Sequence, residues 1–409
     1  MAIPLRIDPE QRFTCASCAR CCRRWEILVS PAEVAALQAH NAGRWFRADL
    51  GANEGSGGDP FEPIAGWRGY QRIRKRDDGA CGFLSESNRC RLHEELGNRS
   101  KPLTCRMFPY QFHSTPNEVV VTTSFGCPTV VANRGEPIAT GVPLDTIKAL
   151  RTEWLARRPP GAGPRTLVPG RIIEAESIGI LRDGLLAMLN RTDDGRRDLR
   201  RNVGRMAAVL DDLTRARVTR LPDADFAEYV RLTVPFAAAD QKAVARPVPG
   251  RVGRLLQRGF LFVVAATRFK LENPAMSRLA LRLHTVWLLA HLHGLAPRVG
   301  RIDASALRRG RLDLTAAETQ PLAYHYLRAS LESLGASQRP VMDDIAVAVS
   351  YLNAACALAV MNGTTGTFSE ALMEAVDLSH TDERGIVGRS LARLAGSTEA
   401  LYTLGSAAP

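Results

Sequence analysis

The chain has 409 residues, 45% of them apolar and 23% charged, which excludes a disordered or fibrous protein and leaves room for two domains. Its formal net charge is +12, carried almost wholly by arginine; lysine occurs only at Lys75, Lys101, Lys148, Lys242 and Lys270. The arginines are scattered along the chain rather than gathered on one arm or stripe, which argues against nucleic acid as a partner.

In chain order, the N-terminus shows no apolar stretch of signal-peptide length. It meets at once a C-x-x-C-x-x-C-C run formed by Cys15, Cys18, Cys21 and Cys22. "WEILV" (Trp25–Val29) is expected as a short strand leading out of that run. A helix should start at Ser30, with Ser30 as N-cap, Pro31 at the first helical position and Glu33 closing a capping box. The glycine-rich stretch from Asn41 to Pro63 reads as a loop. Short strands joined by turns at Asp78-Gly79 and Ser85–Asn88 are expected next, then a brief helix at "HEELG" capped by Gly97. "NEVVVTTS" from Asn117 reads as a strand that carries the chain back to Cys127.

From Pro143 onward, helical periodicity dominates. It marks Leu144–Arg158, Arg171–Arg191, Leu199–Val218, Ser277–Gly294 and His380–Leu404, with a proline- and glycine-rich loop or linker at Arg157–Gly170. Leu281–Ala296 and Ile345–Met361 are apolar but at or below the lower end of membrane-spanning length, so they are expected as buried helices. The expected class is α+β. A small, loop-rich cysteine module covers residues 1–140, and a mainly helical domain covers residues 141–409. The helical part shows no G-x-G-x-x-G, Walker or H-E-x-x-H motif. A cytoplasmic location is expected.

Eight of the nine cysteines lie between Cys15 and Cys127. Disulfides fit poorly with a reducing compartment and with adjacent Cys21 and Cys22. A redox C-x-x-C would open a helix after a strand in a βαβ unit, and no such pattern surrounds Cys15. Thiolate ligation of a metal remains, because close-spaced thiols on a turn converge on one centre and distant ones close its shell. The expected ligands are Cys15, Cys18, Cys21, Cys22, Cys81, Cys90, Cys105 and Cys127. His93 is weighed as a ligand or as a polar residue at a helix start. Arg106 either offsets thiolate charge and binds an anionic group or pairs with an acid such as Glu94 or Glu95. His291 and His293, two apart on a helix, face different sides and cannot chelate together. Cys356 is expected as an inert core thiol. On an extended backbone, Cys21 and Cys22 point apart, so they would serve two sites or leave one spare. Eight thiolates could make two zinc sites or bind iron–sulfur; the iron–sulfur centre is preferred, with zinc as the alternative.

The pattern C-x-x-C-x-x-C-C, then Cys81 followed by glycine and a hydrophobic pair, then Cys90-x-x-His93, then "PLTCRMFP" with Cys105, Arg106, Phe108 and Pro109, then Cys127-Pro128, resembles the bacterial CxxCxxCC (YkgJ-type) cysteine-cluster family. The resemblance covers roughly the first 130 residues and implies a zinc- or iron-chelating domain. Longer members, with a helical part of similar size, are the flagellin lysine-N-methylases. That likeness implies S-adenosylmethionine as a methyl donor and a protein substrate such as flagellin. The competing expectations are a non-catalytic metal carrier and an interaction protein with structural metal.

Overall fold

The computed structural model describes residues 4–49, 53, 58–64, 69–115, 118–157, 165–193, 195–239, 316–317, 319–336, 339–362 and 367–381. In chain order the elements are β1 (Leu5–Ile7), β2 (Arg12–Phe13), α1 (Arg20–Arg24), β3 (Leu28–Val29), α2 (Pro31–Ala39), β4 (Phe61–Pro63) and β5 (Gln71–Ile73). Next come α3 (Arg91–Leu96), α4 (Leu103–Met107), β6 (Tyr110–Ser114), β7 (Val119–Thr123), α5 (Pro128–Val131), β8 (Glu136–Pro137) and α6 (Gly141–Arg157). They are followed by β9 (Arg165–Val168), β10 (Arg171–Ile173), α7 (Ala175–Asn190), α8 (Leu199–Thr214), α9 (Ala216–Thr219) and α10 (Asp223–Ala239). The last described helices are α11 (Gln320–Glu332), α12 (Val341–Asn362) and α13 (Phe368–Thr381). The class is α+β, with small sheets early in the chain and helices later.

The chain divides into two compact units. One comprises Ile7–Phe112 and Gly126–Pro159; the other comprises Met1–Arg6, His113–Phe125 and Pro160–Pro409. The first holds all eight clustered cysteines and is called the cysteine unit. The second holds α7 to α13 and is called the helical unit.

The cysteine unit is built on a small antiparallel sheet in the order β3-β5-β4, with Leu28 opposite Arg72 and Phe61 opposite Ile73. A second pair, β2 with β8, sets Phe13 opposite Glu136. Its core gathers Val29, Leu37, Phe46, Ile73 and Phe83, and Cys81 lies inside it. The predicted N-terminus of α2 is present as read: Ser30 N–H donates to Glu33 Oε2 at 2.8 Å, and Ser30 Oγ accepts from Glu33 N–H. The glycine-rich stretch departs from a plain loop at its ends. Ala42–Trp45 winds into a 3₁₀ turn and Phe61–Pro63 pairs as β4, because Trp45, Phe46 and Phe61 are apolar enough to be drawn into the core. The predicted strand at Trp25–Val29 shortens to Leu28–Val29, since Arg20–Arg24 coils into the unpredicted α1.

In the helical unit, the periodic segments Arg171–Arg191 and Leu199–Val218 give α7 and α8, although Arg171–Ile173 pairs as β10. The apolar stretch Ile345–Met361 lies in α12. These helices bury Leu181, Leu185, Met206, Leu210 and Leu352. α7 and α10 approach closely at Gly184, where a Cβ would stand 2.2 Å from Val234 Cγ1. The end of the proline- and glycine-rich stretch is no linker. Arg165–Val168 pairs with Arg171–Ile173 through a turn at Gly170, whose φ is +83°. β7 is central in a three-stranded sheet ordered β1-β7-β6. Among the described residues, no helix is long and apolar enough to cross a membrane. The predicted helix at Ser277–Gly294, with His291 and His293, and residues 382–404 of the predicted last helix lie outside the described residues.

Candidate metal centre

The C-x-x-C-x-x-C-C run folds as a loop that turns into α1. Two non-glycine residues take left-handed backbone, Ser17 at φ +52° and Ala19 at φ +55°, a conformation L-residues adopt only when the surroundings hold it. The turn aims the Ser17 N–H at the Cys15 sulfur, 3.4 Å away. A backbone donor to sulfur orients it as a ligand. Cys21 and Cys22 then occupy α1, where helical coiling rather than extension sets their directions, and their sulfurs lie 3.9 Å apart. The expectation that they point apart is therefore corrected.

Two tight turns bring distant thiols to this pair. The Asp78-Gly79 turn closes with Arg76 N–H donating to Ala80 O at 2.7 Å, which sets Cys81 opposite Lys75 in an antiparallel bridge. The Ser85–Asn88 turn sets Cys90 opposite Leu84 in the same way. Cys81 N–H donates to Cys22 O at 2.8 Å, which fixes the second cysteine segment to the first. Cys22, Cys90 and Cys105 pack against the core that contains Cys81. Gly82 is required beside Cys81, since a Cβ there would stand 2.0 Å from the Phe46 ring.

Cys21, Cys81 and Cys105 are held protonated. Hydrogen bonding to the Cys22 thiol, then desolvation, pushes Cys21 well up, with Lys101 opposing the rise. Desolvation pushes Cys81 up to about 11, against the charges of Lys75 and Arg76. Cys105 is raised chiefly by burial, and Lys101 again opposes. Lys75 itself is lowered by burial, while Cys81, Cys22, Cys105 and Cys21 push it back up. Cys22, Cys81, Cys90 and Cys105 thus share one partly dry part of the core, with Cys21 beside Cys22 and Lys75 within reach of four of the five thiols. A soft cation that displaces their protons suits such a set.

The other three clustered cysteines are Cys15, Cys18 and Cys127, of which Cys18 and Cys127 lie within electrostatic reach of each other. Cys127 is buried at the N-cap of α5, while Cys15 and Cys18 are exposed. Desolvation raises Cys127, the N–H groups of Val130 and Thr129 oppose this, and the Cys18 charge adds to it. Desolvation, then the Cys15 charge, raises Tyr110, whose ring meets Phe13 edge-on at 5.6 Å. The β2–β8 pairing sets the chain before Cys15, and Gly135 permits it: at φ +110° its Cβ position lies 2.3 Å from Thr14 N.

The remaining candidates fall as follows. His93 is exposed on α3. Arg106 pairs neither with Glu94 nor with Glu95; its Nη2 donates to Glu153 at 2.6 Å and its Nε to Lys101 O at 2.9 Å. Cys356 sits on α12 with its thiol donating to Leu352 O at 2.7 Å and held protonated by burial. Lys75 and Lys101 were not singled out from sequence. The available signal was that lysine is rare in this chain, yet two of the five lie beside the cysteine segments.

All nine cysteines are free thiols. The donor set suits iron or zinc, both thiophilic. Among the described residues, no group of three or more Cys, His, Asp or Glu side chains stands where it could hold a metal ion.

Residues 14–127 match the family CxxCxxCC, described as "Putative zinc- or iron-chelating domain". A stretch of 54 residues is 37% identical to the flagellar biosynthetic protein FliU of Salmonella muenchen, covering 13% of this chain and 32% of that protein. The matched stretch thus spans about a third of that relative's length. No solved structure matches the chain.

Proposed function

We propose that the cysteine unit binds iron, as an iron–sulfur centre, through Cys15, Cys18, Cys21, Cys22, Cys81, Cys90, Cys105 and Cys127. The observation that carries this is the meeting of Cys21, Cys22, Cys81 and Cys105, from three separate segments, around Lys75, with Cys90 packed against the same core as Cys81. Four is the usual number of protein ligands both for a zinc site and for an iron–sulfur cluster. Iron–sulfur is favoured because the partly buried thiols gather unevenly, most of them at one core, which suits a cluster better than two closed four-thiolate zinc sites. Bound there, iron–sulfur would supply electron transfer, and zinc would brace the fold. The chain's own part is to bring the thiols together, exclude water from them and supply cations beside them. We place the protein in the cytoplasm, where a reducing pool keeps such thiols free.

The test is anaerobic purification of the full chain, with iron, zinc and acid-labile sulfide measured on one sample. Iron and sulfide in comparable amounts are expected. Colourless protein holding only zinc would overturn the iron–sulfur assignment but keep chelation, and protein without either metal would overturn chelation itself.

A second reading is supported by the partial match to a flagellar biosynthetic protein and by the likeness to flagellin lysine-N-methylases. In it, the protein methylates lysine on a partner such as flagellin, with S-adenosylmethionine as donor. Arg106 would have to exchange Glu153 for an anionic group to take part in binding that cofactor. Co-expression with flagellin and intact-mass analysis decides it: mass gain in steps of one methyl group supports transfer, and unmodified flagellin leaves a non-catalytic chelating or structural-metal protein.

A further inference from the structure

Arginine supplies nearly all the positive charge of this chain, yet two of the cations that act on the buried thiols, Lys75 and Lys101, are lysines, and Lys75 acts with four of them. Lys75 Nζ donates to Cys22 O at 2.8 Å, and its backbone faces Cys81 across an antiparallel bridge. The thiols within electrostatic reach of it are Cys81, Cys22, Cys105 and Cys21. Of the two acids in the same turn, Asp78 is held by Arg76 at 2.8 Å and by Arg23 at 3.6 Å, and Asp77 hydrogen-bonds with Asp49. A set of thiolates in a partly dry core carries a large uncompensated negative charge, which is costly unless a cation sits beside it. An ammonium answers this better than a guanidinium, because it is a compact point charge whose donors can turn toward several sulfurs.

The structure assigns Lys75 as the charge-balancing residue of the thiolate centre: its ammonium holds the Cys22 carbonyl and offsets the charge of the surrounding thiolates when a metal or cluster is bound. This rests on the metal-binding reading above. Lys75 is no ligand, since an ammonium has no lone pair. It acts through the cysteines, and so governs how tightly the centre is held and how easily it is reduced.

The test compares full-chain wild type with Lys75→Arg, Lys75→Gln and Lys75→Met, all purified anaerobically. Metal retention is read by chelator competition and, where the centre is iron–sulfur, the reduction potential is read by redox titration. Loss of an outer partner typically weakens metal binding about 10- to 100-fold. Lys75→Met and Lys75→Gln are therefore expected to release metal at chelator concentrations roughly tenfold lower or less, with a more negative potential. Lys75→Arg, which keeps the charge, is expected to recover most of the loss. Retention by Lys75→Gln equal to Lys75→Arg would reduce the role to a hydrogen bond and overturn the proposal. Unchanged retention in Lys75→Met would also overturn it, with chelation intact. Metal-free wild type would instead sink the chelation reading, so the two failures are distinguishable. Circular dichroism of the metal-free variants separates a folding defect, and a Lys75→Met chain that is unfolded while Lys75→Arg is folded but loses metal equally would likewise count against it.

Discussion

Position 81 and its neighbour show how a ligand residue and its packing are tied. Cys81 is buried and Gly82 lies against the Phe46 ring, where a Cβ would come within 2.0 Å. Because Phe46 is itself fully buried, the ring cannot swing away into solvent. Gly82→Ala is expected to destabilise the cysteine unit by about 1–3 kcal/mol, the usual cost of overpacking, and to lower metal content with it. Denaturant titration with metal analysis on the same sample checks both. A second expectation separates ligand thiols from inert ones. Cys22→Ser and Cys18→Ser should lose metal and make residues 7–112 protease-sensitive, because coordination energy is also folding energy. Cys356→Ser should do neither, since the Cys356 thiol is spent on Leu352 O within α12. Equal metal in all three variants would remove the assignment. At this scale the cysteines were legible because their spacing is their signal. The role of Lys75 was not, because nothing local to "RIRKRDD" says which cation will be folded in among thiols.

Among the elements, α2 was the most legible, since its three start signals agree and its cap is local chemistry. What stayed hidden was long-range. Glu33 Oε1 also accepts the Leu103 N–H at 2.7 Å, so one carboxylate caps α2 and anchors the N-terminus of α4, which carries Cys105. Glu33→Ala is expected to cost about 1–3 kcal/mol, a lost cap plus a second lost hydrogen bond. Thermal melts of the full chain should show it, and a cost below a few tenths would mean that α4 does not depend on this residue. The strand pair β6–β7 gives a pH-dependent expectation. Desolvation lowers His113 to about 4 from 6.5, and its Nε2 meets Thr122 Oγ1 at 2.8 Å. The unfolded chain therefore takes up a proton between these values that the folded chain refuses, so stability is full above pH 6.5 and falls as pH drops toward 4. His113 keeps part of its surface exposed, so the loss is set at about 2 kcal/mol by pH 4.5 rather than the full product of the shift and about 1.4 kcal/mol per unit. His113→Gln should flatten the stability profile between pH 5 and 6.5, and an unchanged slope in denaturant titrations there would exclude His113 as its source.

For the whole molecule, helix positions were legible where apolar residues recur three or four apart, as in α7 and α8, and where an apolar run such as Ile345–Met361 in α12 is too short to span a membrane. The assembly of β7 was not, because a run such as "VVVTT" says strand without saying which residues will cover it. Val119, Val120 and Val121 are all at most 1% exposed, and β7 belongs to the unit of the later helices. Within that unit, Arg182 pairs with Glu118 at 2.5 Å, Arg6 pairs with Glu332 at 2.6 Å, and Phe125 meets Tyr326 edge-on at 5.1 Å. Arg182 and Glu332 are nearly buried, and a buried charge stripped of its partner is costly. A fragment that starts at Pro143 therefore keeps Arg182, Glu332 and Tyr326 but loses Glu118, Arg6, Phe125 and the three valines. Burying a valine side chain is worth roughly 1.5–3 kcal/mol, so the valines alone approach the net stability of a typical domain, about 5–15 kcal/mol. The fragment is expected to show helical circular dichroism without a cooperative melt. Adding a peptide of residues 113–125 should restore part of the cooperativity. A sharp transition in the fragment alone, at the temperature seen for the full chain, would show that the helices complete their core without β7.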